Sequence, residues 1–373
     1  MRAFIVYKHV LNLSGNGFVV GGIETYLLAL TKVLKKNGIK PIIVQRANED
    51  FEKEIDGNIY WGYSVSAKSY HEKLYAKIKQ QLNEEDLLIW GTDTFSMKVP
   101  HKRTLAIQHG IDYDYFPEED KRKKLFMDLG LGWLVKYFQR RRALNVFRRA
   151  NYKVCVDYNF WNWYRTFSVP KEDKNIYVIP NFAQVDEWET KAPSDTVKVV
   201  FARRFVRRRG VSVFLEVVKQ LKDYKNVSFT FAGEGPYLSD IEKLQKEQDN
   251  IIITKYEPSE AIRFHKDYDI AVVPTIGSEG TSFSLLEAMS AGNAVVCTAV
   301  GGMTNIILND YNGLMVKPNS VEALKNSLEK LIKDPALRAT LAKNAHTTVS
   351  QSFSLEKWEE RWSLVLNDIK KLS

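Results

Sequence analysis

The sequence contains little cysteine and no long apolar run. Its two cysteines, Cys155 and Cys297, fall in predicted buried strands of a 373-residue chain, which excludes a disulfide framework and predicts inert core thiols. The longest apolar runs have the length of a strand, whereas a membrane-spanning helix requires roughly 18 to 20 apolar residues. Residues 1–7 are too short for the apolar region of a signal peptide. We therefore expect a cytoplasmic protein.

Acidic residues are nearly missing from residues 121–149. This segment carries ten Lys and Arg against one acid, Asp128, and its surplus of nine equals the net charge of the whole chain. Phe, Leu and Trp are interspersed with the cations, a pattern typical of a surface that binds an anionic bilayer, where each cation contributes about 1 kcal/mol. The candidate membrane or acceptor residues are Lys121, Arg122, Lys123, Lys124, Trp133, Arg140, Arg141 and Arg142.

A solvated helix face remains an alternative for this segment. Three consecutive arginines spread over roughly 200° of a helix, and Gly130 and Gly132 interrupt the pattern, so the segment is not a helix with one apolar and one basic face. Nucleic-acid binding is not expected, because no recognised nucleic-acid module accompanies the basic residues.

Strand and helix patterns alternate in both halves of the chain, which predicts an α/β protein with two parallel sheets. The chain is long enough for two domains of ordinary size. We expect an N-terminal domain over residues 1–182, joined by the C-terminal helix of residues 355–373, a linker over residues 183–196 and a C-terminal domain over residues 197–354. Predicted strands cover residues 2–7, 40–45, 86–90, 103–108, 153–157, 175–179, 197–202, 228–232 and 270–273.

Residues 277–289 contain the most informative motif, with Glu279 and Glu287 eight positions apart on either side of a helix start. Gly280, Thr281 and Ser282 precede the helix, so free backbone N–H groups and the positive end of the helix dipole can bind an anion. Glu287 lies one to two turns inside the helix, where its carboxylate can accept hydrogen bonds from a vicinal diol such as a ribose. The motif predicts a nucleotide-sugar site.

Spacing alone does not establish this prediction, because 45 acidic residues give roughly five such pairs by chance. The surrounding pattern is more specific: a buried strand precedes the motif, and a second strand follows it and ends near Gly301-Gly302. Polar residues at the carboxyl ends of parallel strands are where open α/β sheets bind ligands.

Five arginines lie in residues 203–209, between a predicted strand and Gly210. Fixed cations at that edge stabilise the negative charge that develops on a departing pyrophosphate. A solvated basic turn is the alternative, although five arginines without an acid repel one another unless an anion binds.

Together, these motifs resemble the retaining glycosyltransferases of the GT-B fold, in the group that includes sucrose synthases, bacterial mannosyltransferases and lipopolysaccharide glucosyltransferases. The resemblance rests on the Glu279 to Glu287 motif, on Gly301-Gly302, on residues 312–316 and on the basic segment ending Arg209-Gly210. It covers most of residues 195–350 and the first half of the chain more loosely. It implies two Rossmann-like domains facing across a cleft, with the C-terminal helix crossing back to the N-terminal domain.

The resemblance also implies residue roles. Arg209 stands where the family has a lysine on the diphosphate, and either Arg204 or Arg203 is its partner; Glu279 holds donor-sugar hydroxyls, and Gly280 to Ser282 with Glu287 bind the donor. His109, in a His-Gly pair, lies beneath the donor sugar. Gly21 and Gly22 let the backbone approach the diphosphate, although glycines needed only for a turn are an alternative. Asn305 departs from the family, which often has glutamate after Gly-Gly.

The resemblance implies retaining transfer of a hexosyl unit from a nucleotide-diphosphate sugar to a glycan or lipid-linked acceptor in bacterial cell-envelope polysaccharide or lipopolysaccharide biosynthesis. Two Asp-x-Asp triplets, residues 112–114 and 267–269, suit a metal, but the arginines already supply the cations, so no metal or other cofactor is expected. The expected location is peripheral, on the inner face of the cytoplasmic membrane. A catalytically silent GT-B scaffold subunit and a nucleotide-sugar epimerase are the alternatives.

Overall fold

The computed structural model describes residues 1–19, 21–110, 121–167, 174–191, 194–277 and 279–371, with the backbone alone at residues 121 and 122. The chain divides into two compact units. Unit 1 comprises residues 1–179 and 359–373, and unit 2 comprises residues 180–358.

Within the described ranges, unit 1 contains an eight-stranded sheet of order β3-β4-β2-β1-β5-β6-β7-β8. Its strands are β1 Arg2–Val6, β2 Lys40–Ala47, β3 Phe51–Ile55, β4 Asn58–Ser64, β5 Leu87–Trp90, β6 Thr104–Gln108, β7 Tyr152–Cys155 and β8 Ile176–Val178. The central strands are buried along their length, as their continuous apolar sequences predict for parallel strands covered on both faces.

One pair in this sheet is antiparallel and was not predicted. β3 and β4 form a hairpin whose turn, Asp56-Gly57, has φ angles of 52° and 66°. Both angles lie in the left-handed region that a two-residue hairpin turn requires, and Asp-Gly is a preferred sequence there. The charged residues of β3 obscured it as a strand, but the Asp-Gly turn was a usable signal.

Three helices of unit 1, the first, second and fifth along the chain, pack apolar residues against the sheet, whereas the third and fourth expose large apolar side chains. In chain order these helices are α1 Gly22–Lys36, α2 Tyr70–Ile78, α3 Lys121–Asp128, α4 Gly132–Phe147 and α5 Tyr158–Arg165. The last helix, α12 Leu355–Lys370, ends in this unit, where the fully buried Trp362 donates a hydrogen bond from Nε1 to the hydroxyl of Tyr26 on α1 over 3.0 Å.

Unit 2 contains a six-stranded parallel sheet of order β11-β10-β9-β12-β13-β14, counted over the residues that the structure covers. Its strands are β9 Val197–Ala202, β10 Val227–Ala232, β11 Ile251–Thr254, β12 Ile270–Val273, β13 Ala294–Thr298 and β14 Leu314–Val316. Its helices are α6 Val211–Gln220, α7 Leu238–Glu247, α8 Ala261–Lys266, α9 Phe283–Ser290, α10 Val321–Lys333 and α11 Pro335–Ser352. The predicted α/β class with two Rossmann-like sheets is confirmed.

The segment expected to be a linker packs on unit 2. Ala183 donates its N–H to the carbonyl of Phe353 over 3.0 Å, and the ring of Phe182, the residue before the expected linker, lies 4.6 Å from that of Trp358. Cys155 and Cys297 are buried and unpaired, as predicted. None of the helices in the described ranges has the length and apolar content needed to cross a membrane.

Candidate functional site

The strand order of unit 2 gathers the predicted residues at one edge of the sheet. β9, β12 and β13 are neighbours, and because they are parallel their carboxyl ends lie at the same edge. The arginine loop follows β9, the Glu279 loop follows β12, and Gly301-Gly302 follows β13. The arginine loop, the Glu279 loop and the double glycine therefore lie at the same edge of the sheet.

Glu279 is the centre of this site and binds two arginines. Its Oε2 atom accepts hydrogen bonds from Arg203 Nη2 over 2.7 Å, from Thr275 Oγ1 over 3.0 Å, and from Arg209 Nη1. Arg203 also donates from Nη1 to Thr275 Oγ1. Two guanidinium groups and a hydroxyl thus converge on one carboxylate oxygen.

Glu279 is ionised in this environment. Burial alone would raise the pKa of its carboxyl, but the charges of Arg203 and Arg209 and the hydrogen bonds from Arg203 and Thr275 lower that pKa to about 2. Only 8% of Glu279 is exposed, and the side chain of Arg203 is 6% exposed, so the pair is strongly shielded from water. The Arg209 side chain is 22% exposed and reaches the surface of the site.

The double glycine holds the Glu279 loop in place by close backbone contact. Gly302 donates its N–H to the carbonyl oxygen of Glu279 over 3.1 Å. A Cβ on Gly301 would lie 1.8 Å from that same oxygen, and a Cβ on Gly302 would lie 2.5 Å from Thr281 N. Residues with side chains cannot pack there without moving the loop.

Helix α9 begins directly after this loop. Ser282 is its N-cap in an extended conformation, and over the described residues its hydroxyl makes no capping bond and lies 3.3 Å from that of Ser284. Asn181 donates from Nδ2 to the carbonyl oxygen of Thr281 over 2.6 Å. Gly280, Thr281 and Ser282 are buried, which fixes the backbone at the positive end of the helix dipole.

Glu287, the second glutamate of the motif, lies on α9 and is partly buried. Burial raises the pKa of its carboxyl to about 7, and the positive charge of Arg203 opposes that rise. The charge of Arg203 therefore acts on both glutamates of the motif.

The structure separates the two candidate arginines at the start of the loop. Arg203 enters the Glu279 cluster, whereas Arg204 is exposed and lies near the exposed carboxylate of Glu234. Arg209 joins Arg203 on Glu279.

The candidates of the first half lie in unit 1. His109 follows β6, and its Nε2 donates to the carbonyl oxygen of Gly91 over 2.9 Å, because a carbonyl can only accept. The ring of Tyr26 packs edge-on against His109 at 5.0 Å, and burial lowers the pKa of His109 to about 4, so the imidazole is neutral at pH 7. Gly21 is the N-cap of α1, and Gly22 is its first residue.

The basic segment forms α3 and α4, with Lys124, Trp133 and the three arginines 140–142 exposed and Lys123 partly buried. The side chains of Lys121 and Arg122 and the triplet 112–114 lie outside the described residues. The other triplet, residues 267–269, lies at a helix end and a strand start: Asp267 is the C-cap of α8, and a side-chain oxygen of Asp269 accepts from Lys198 N over 2.8 Å.

Two contributors were missed from the sequence. Thr275 donates to Glu279, and its position just after β12 was a signal, since polar residues at strand ends line such sites. Tyr256 lies near Glu287, and its ring stacks on that of Phe264 with 4.4 Å between the centroids. Burial and the charge of Glu287 both raise the pKa of the Tyr256 hydroxyl. No local pattern in the sequence marks Tyr256.

This arrangement can bind an anion that carries hydroxyl groups. Each guanidinium has five N–H groups, so Arg203 and Arg209 retain donors beyond their contacts with Glu279. The N-terminus of α9 adds backbone dipoles, and Glu287 offers a carboxylate that titrates near neutral pH.

Comparison with known proteins agrees with this chemistry. Residues 183–348 match the family model described as glycosyl transferases group 1. An uncharacterized glycosyltransferase of Methanocaldococcus jannaschii is 25% identical over 280 residues, 70% of this chain and 67% of the relative. The capsular polysaccharide biosynthesis glycosyltransferase CapM of Staphylococcus aureus is 26% identical over 195 residues, half of each chain. Relatives of this chain therefore include a glycosyltransferase of capsular polysaccharide biosynthesis.

Solved structures share the fold over the full chain. The sucrose-phosphate synthase of Thermosynechococcus elongatus superposes with a TM-score of 0.78 at 17% identity, covering 100% of both chains. HepE of Anabaena, in complex with UDP-glucose, gives a TM-score of 0.72 at 16% identity over 99% of this chain and 100% of HepE. Residues 183–348 of this chain therefore match the group 1 glycosyl transferases, and its two α/β sheets have the GT-B fold of the solved structures.

Proposed function

We propose that this protein transfers a hexosyl unit from a nucleoside-diphosphate sugar to a glycan or lipid-linked acceptor, with retention at the anomeric carbon. The observation that carries the proposal is the binding of Arg203 and Arg209 to one buried, ionised carboxylate, Glu279, next to the start of α9. This arrangement supplies fixed cations for a diphosphate leaving group. HepE, which shares the fold, was solved with UDP-glucose.

The proposed roles follow from the contacts. Arg203 and Arg209 bind the diphosphate and stabilise its charge as the bond to the sugar breaks. Glu287 accepts hydrogen bonds from the ribose hydroxyls. Because Oε2 of Glu279 is engaged by the arginines, the proposal assigns its other oxygen, Oε1, to hydroxyls of the donor sugar. A donor phosphate oxygen accepts the proton of the acceptor hydroxyl, which attacks on the face that the diphosphate leaves.

We further propose that transfer needs no divalent metal, since two guanidinium groups supply the cations that a metal would otherwise provide at the diphosphate. His109 of unit 1 contributes as a neutral hydrogen-bonding group and not as a nucleophile, in keeping with its lowered pKa. The proposed acceptor places the protein at the inner face of the cytoplasmic membrane.

One experiment tests the reaction and its stereochemistry. The protein is incubated with UDP-, GDP- and dTDP-hexoses to find the donor by thermal shift, and the product anomer is then assigned by NMR, with EDTA in a parallel sample. We expect one donor class to stabilise the protein and the product to keep the donor's α or β configuration at an undiminished rate in EDTA. An inverted anomer contradicts retention, an epimerised donor supports the epimerase alternative, and binding without turnover supports a scaffold subunit.

A pH titration tests the role of Glu287. We expect nucleoside diphosphate to bind more tightly as pH rises through about 7, because only the ionised carboxylate accepts both ribose hydroxyls; the gain between pH 6 and pH 8 is up to about tenfold. The stability of the fold changes with pH in the opposite direction. Because the pKa of Glu287 is higher in the folded than in the unfolded chain, its contribution to the free energy of unfolding is fully present below pH 4.5, the unfolded pKa, and is lost as pH rises through 7.

Isothermal titration calorimetry across this pH range provides the measurement, with Glu287→Gln as the matched variant. The ligand phosphates titrate equally in both experiments, so the difference between the two profiles isolates Glu287. Superimposable profiles for wild type and variant would remove Glu287 from the donor site.

A further inference from the structure

Helices α3 and α4 expose an unusual concentration of apolar surface, which we call the α3–α4 tip (residues 125–138). Its large apolar side chains are between 42% and 65% exposed. They are Leu125, Phe126, Met127, Leu129, Trp133, Tyr137 and Phe138. Contiguous apolar surface is rare on proteins that contact only water, so the tip indicates a binding surface.

The charge around the tip selects the occupant. Lys124 and Arg140 to Arg142 are exposed beside it, and Asp128 is the sole acid in residues 121–149 of the sequence. A second copy of this chain would bring an equally basic surface against the first, which like-charge repulsion opposes. An anionic lipid surface matches both features, since it accepts apolar side chains and attracts cations.

The polarity of α4 changes along its axis and not around it. Its first two turns carry Trp133, Tyr137 and Phe138, and its third carries the arginines 140–142. Its last turn is anchored in unit 1, where Phe147 is fully buried and packs 4.7 Å from Phe160. A helix that lies flat on a bilayer needs one apolar face along its length, and α4 lacks that arrangement.

The dimensions fit a helix that meets the membrane with its end. Trp133 and Arg141 are eight residues apart, or about 12 Å along the axis. The headgroup layer of each leaflet is roughly 5 to 8 Å thick. With Arg141 among the lipid phosphates, Trp133 reaches the top of the hydrocarbon region. The turn before α4 is compact, because Leu131 donates its N–H to the carbonyl of Phe126 over 2.8 Å and keeps α3 beside α4.

We propose that the α3–α4 tip docks end-on into an anionic lipid bilayer, with Trp133 below the headgroups, Tyr137 and Phe138 near the inner edge of the headgroup layer and Arg140 to Arg142 among the phosphates. The inference deepens the proposed function, since it gives the acceptor side a physical location at a lipid surface. Vesicle binding is measured without donor or acceptor. A protein that does not bind vesicles therefore contradicts docking but not the transfer reaction, and a protein that does not transfer sugar contradicts the proposed function but not docking.

Sedimentation with vesicles of phosphatidylglycerol and phosphatidylcholine tests the docking. We expect wild type to bind these vesicles at low salt and to bind pure phosphatidylcholine at least tenfold less. The double variant Trp133→Glu/Phe138→Glu should lose at least tenfold in partitioning. Leu364→Glu, which changes a side chain 66% exposed on α12, should bind as wild type does.

Three results overturn the proposal. In the first, the wild type does not sediment with the anionic vesicles. In the second, Leu364→Glu weakens vesicle binding as much as the tip variant does. In the third, analytical ultracentrifugation without lipid shows a dimer that Trp133→Glu/Phe138→Glu dissociates, which makes a second copy the occupant. Circular dichroism on each variant verifies that the fold is retained.

Orientation is tested with an environment-sensitive fluorophore on Phe138→Cys or Asn145→Cys. These positions are seven residues apart, share one face of α4 and are both exposed, while the native cysteines are buried. End-on docking places the probe at 138, but not at 145, within reach of quenchers on the lipid chains. Equal quenching at both positions indicates a flat helix and overturns the end-on geometry.

Discussion

Replacing Arg209 by alanine is expected to lower kcat/KM for glycosyl transfer by two to three orders of magnitude. Removing one fixed donor from a site where charge develops costs about that much in other enzymes. Arg209 is the more exposed of the two arginines on Glu279, so its loss removes a cation from the site while Arg203 keeps the buried carboxylate paired. The rate is measured with the donor identified by thermal shift.

Three further variants sharpen this test. Arg209→Lys restores the charge without the planar fork and should recover most of the lost rate, since the resembled family carries lysine there. Arg263→Ala removes an arginine 87% exposed on α8 and serves as the control for charge alone. Of the neighbours Arg203 and Arg204, we expect the larger loss from Arg203→Ala. A rate for Arg209→Ala within threefold of wild type would show that the cluster does not bind the diphosphate.

The substitution Gly301→Ala is expected to destabilise the protein by about 3 to 4 kcal/mol, through a backbone clash added to a conformational cost. Gly301 has φ +52°, and its new Cβ would lie 1.8 Å from the carbonyl oxygen of Glu279. Neither atom belongs to a flexible side chain, so the loop that carries Glu279 must move. Urea unfolding followed by circular dichroism measures the change.

Gly38→Ala is the matched control. Gly38 has φ +69°, and within the part of the chain that the structure describes nothing lies within 4 Å of a Cβ built there. Alanine at this position bears the left-handed backbone cost of about 1 kcal/mol without a clash. Equal shifts for the two variants would mean that the contact between Gly301 and Glu279 is not tight in solution. Donor affinity should fall in Gly301→Ala alone.

The fold was largely predictable where strands are buried on both faces. The apolar runs of β9 and β12 have the predicted bounds, because continuous apolar residues bounded by polar turns have few other interpretations. The hairpin of β3 and β4 was missed. The charged sequence of β3, which mixes phenylalanine, glutamate and lysine, is typical of an edge strand, but the sequence pattern alone does not distinguish such a strand from a loop.

The site was predictable in its residues but not in its contacts. The sequence indicated Glu279, Glu287 and the arginine loop, because anion and diol binding demand those residue types at strand ends. It left Arg203 and Arg204 unresolved. Which one turns inward depends on where β9 ends and on β12 lying beside it, and that neighbour is distant along the chain.

The hydrogen bonds from Arg203 and Arg209 to Glu279 also determine at which step the two arginine side chains lose conformational entropy. Long side chains that are immobilised by a ligand cost about 0.5 to 1.5 kcal/mol each on binding. Contacts within the chain already restrict both arginines, so the protein loses that freedom when it folds. An arriving anion then meets cations that are held in place, and a larger share of its interaction energy appears as affinity.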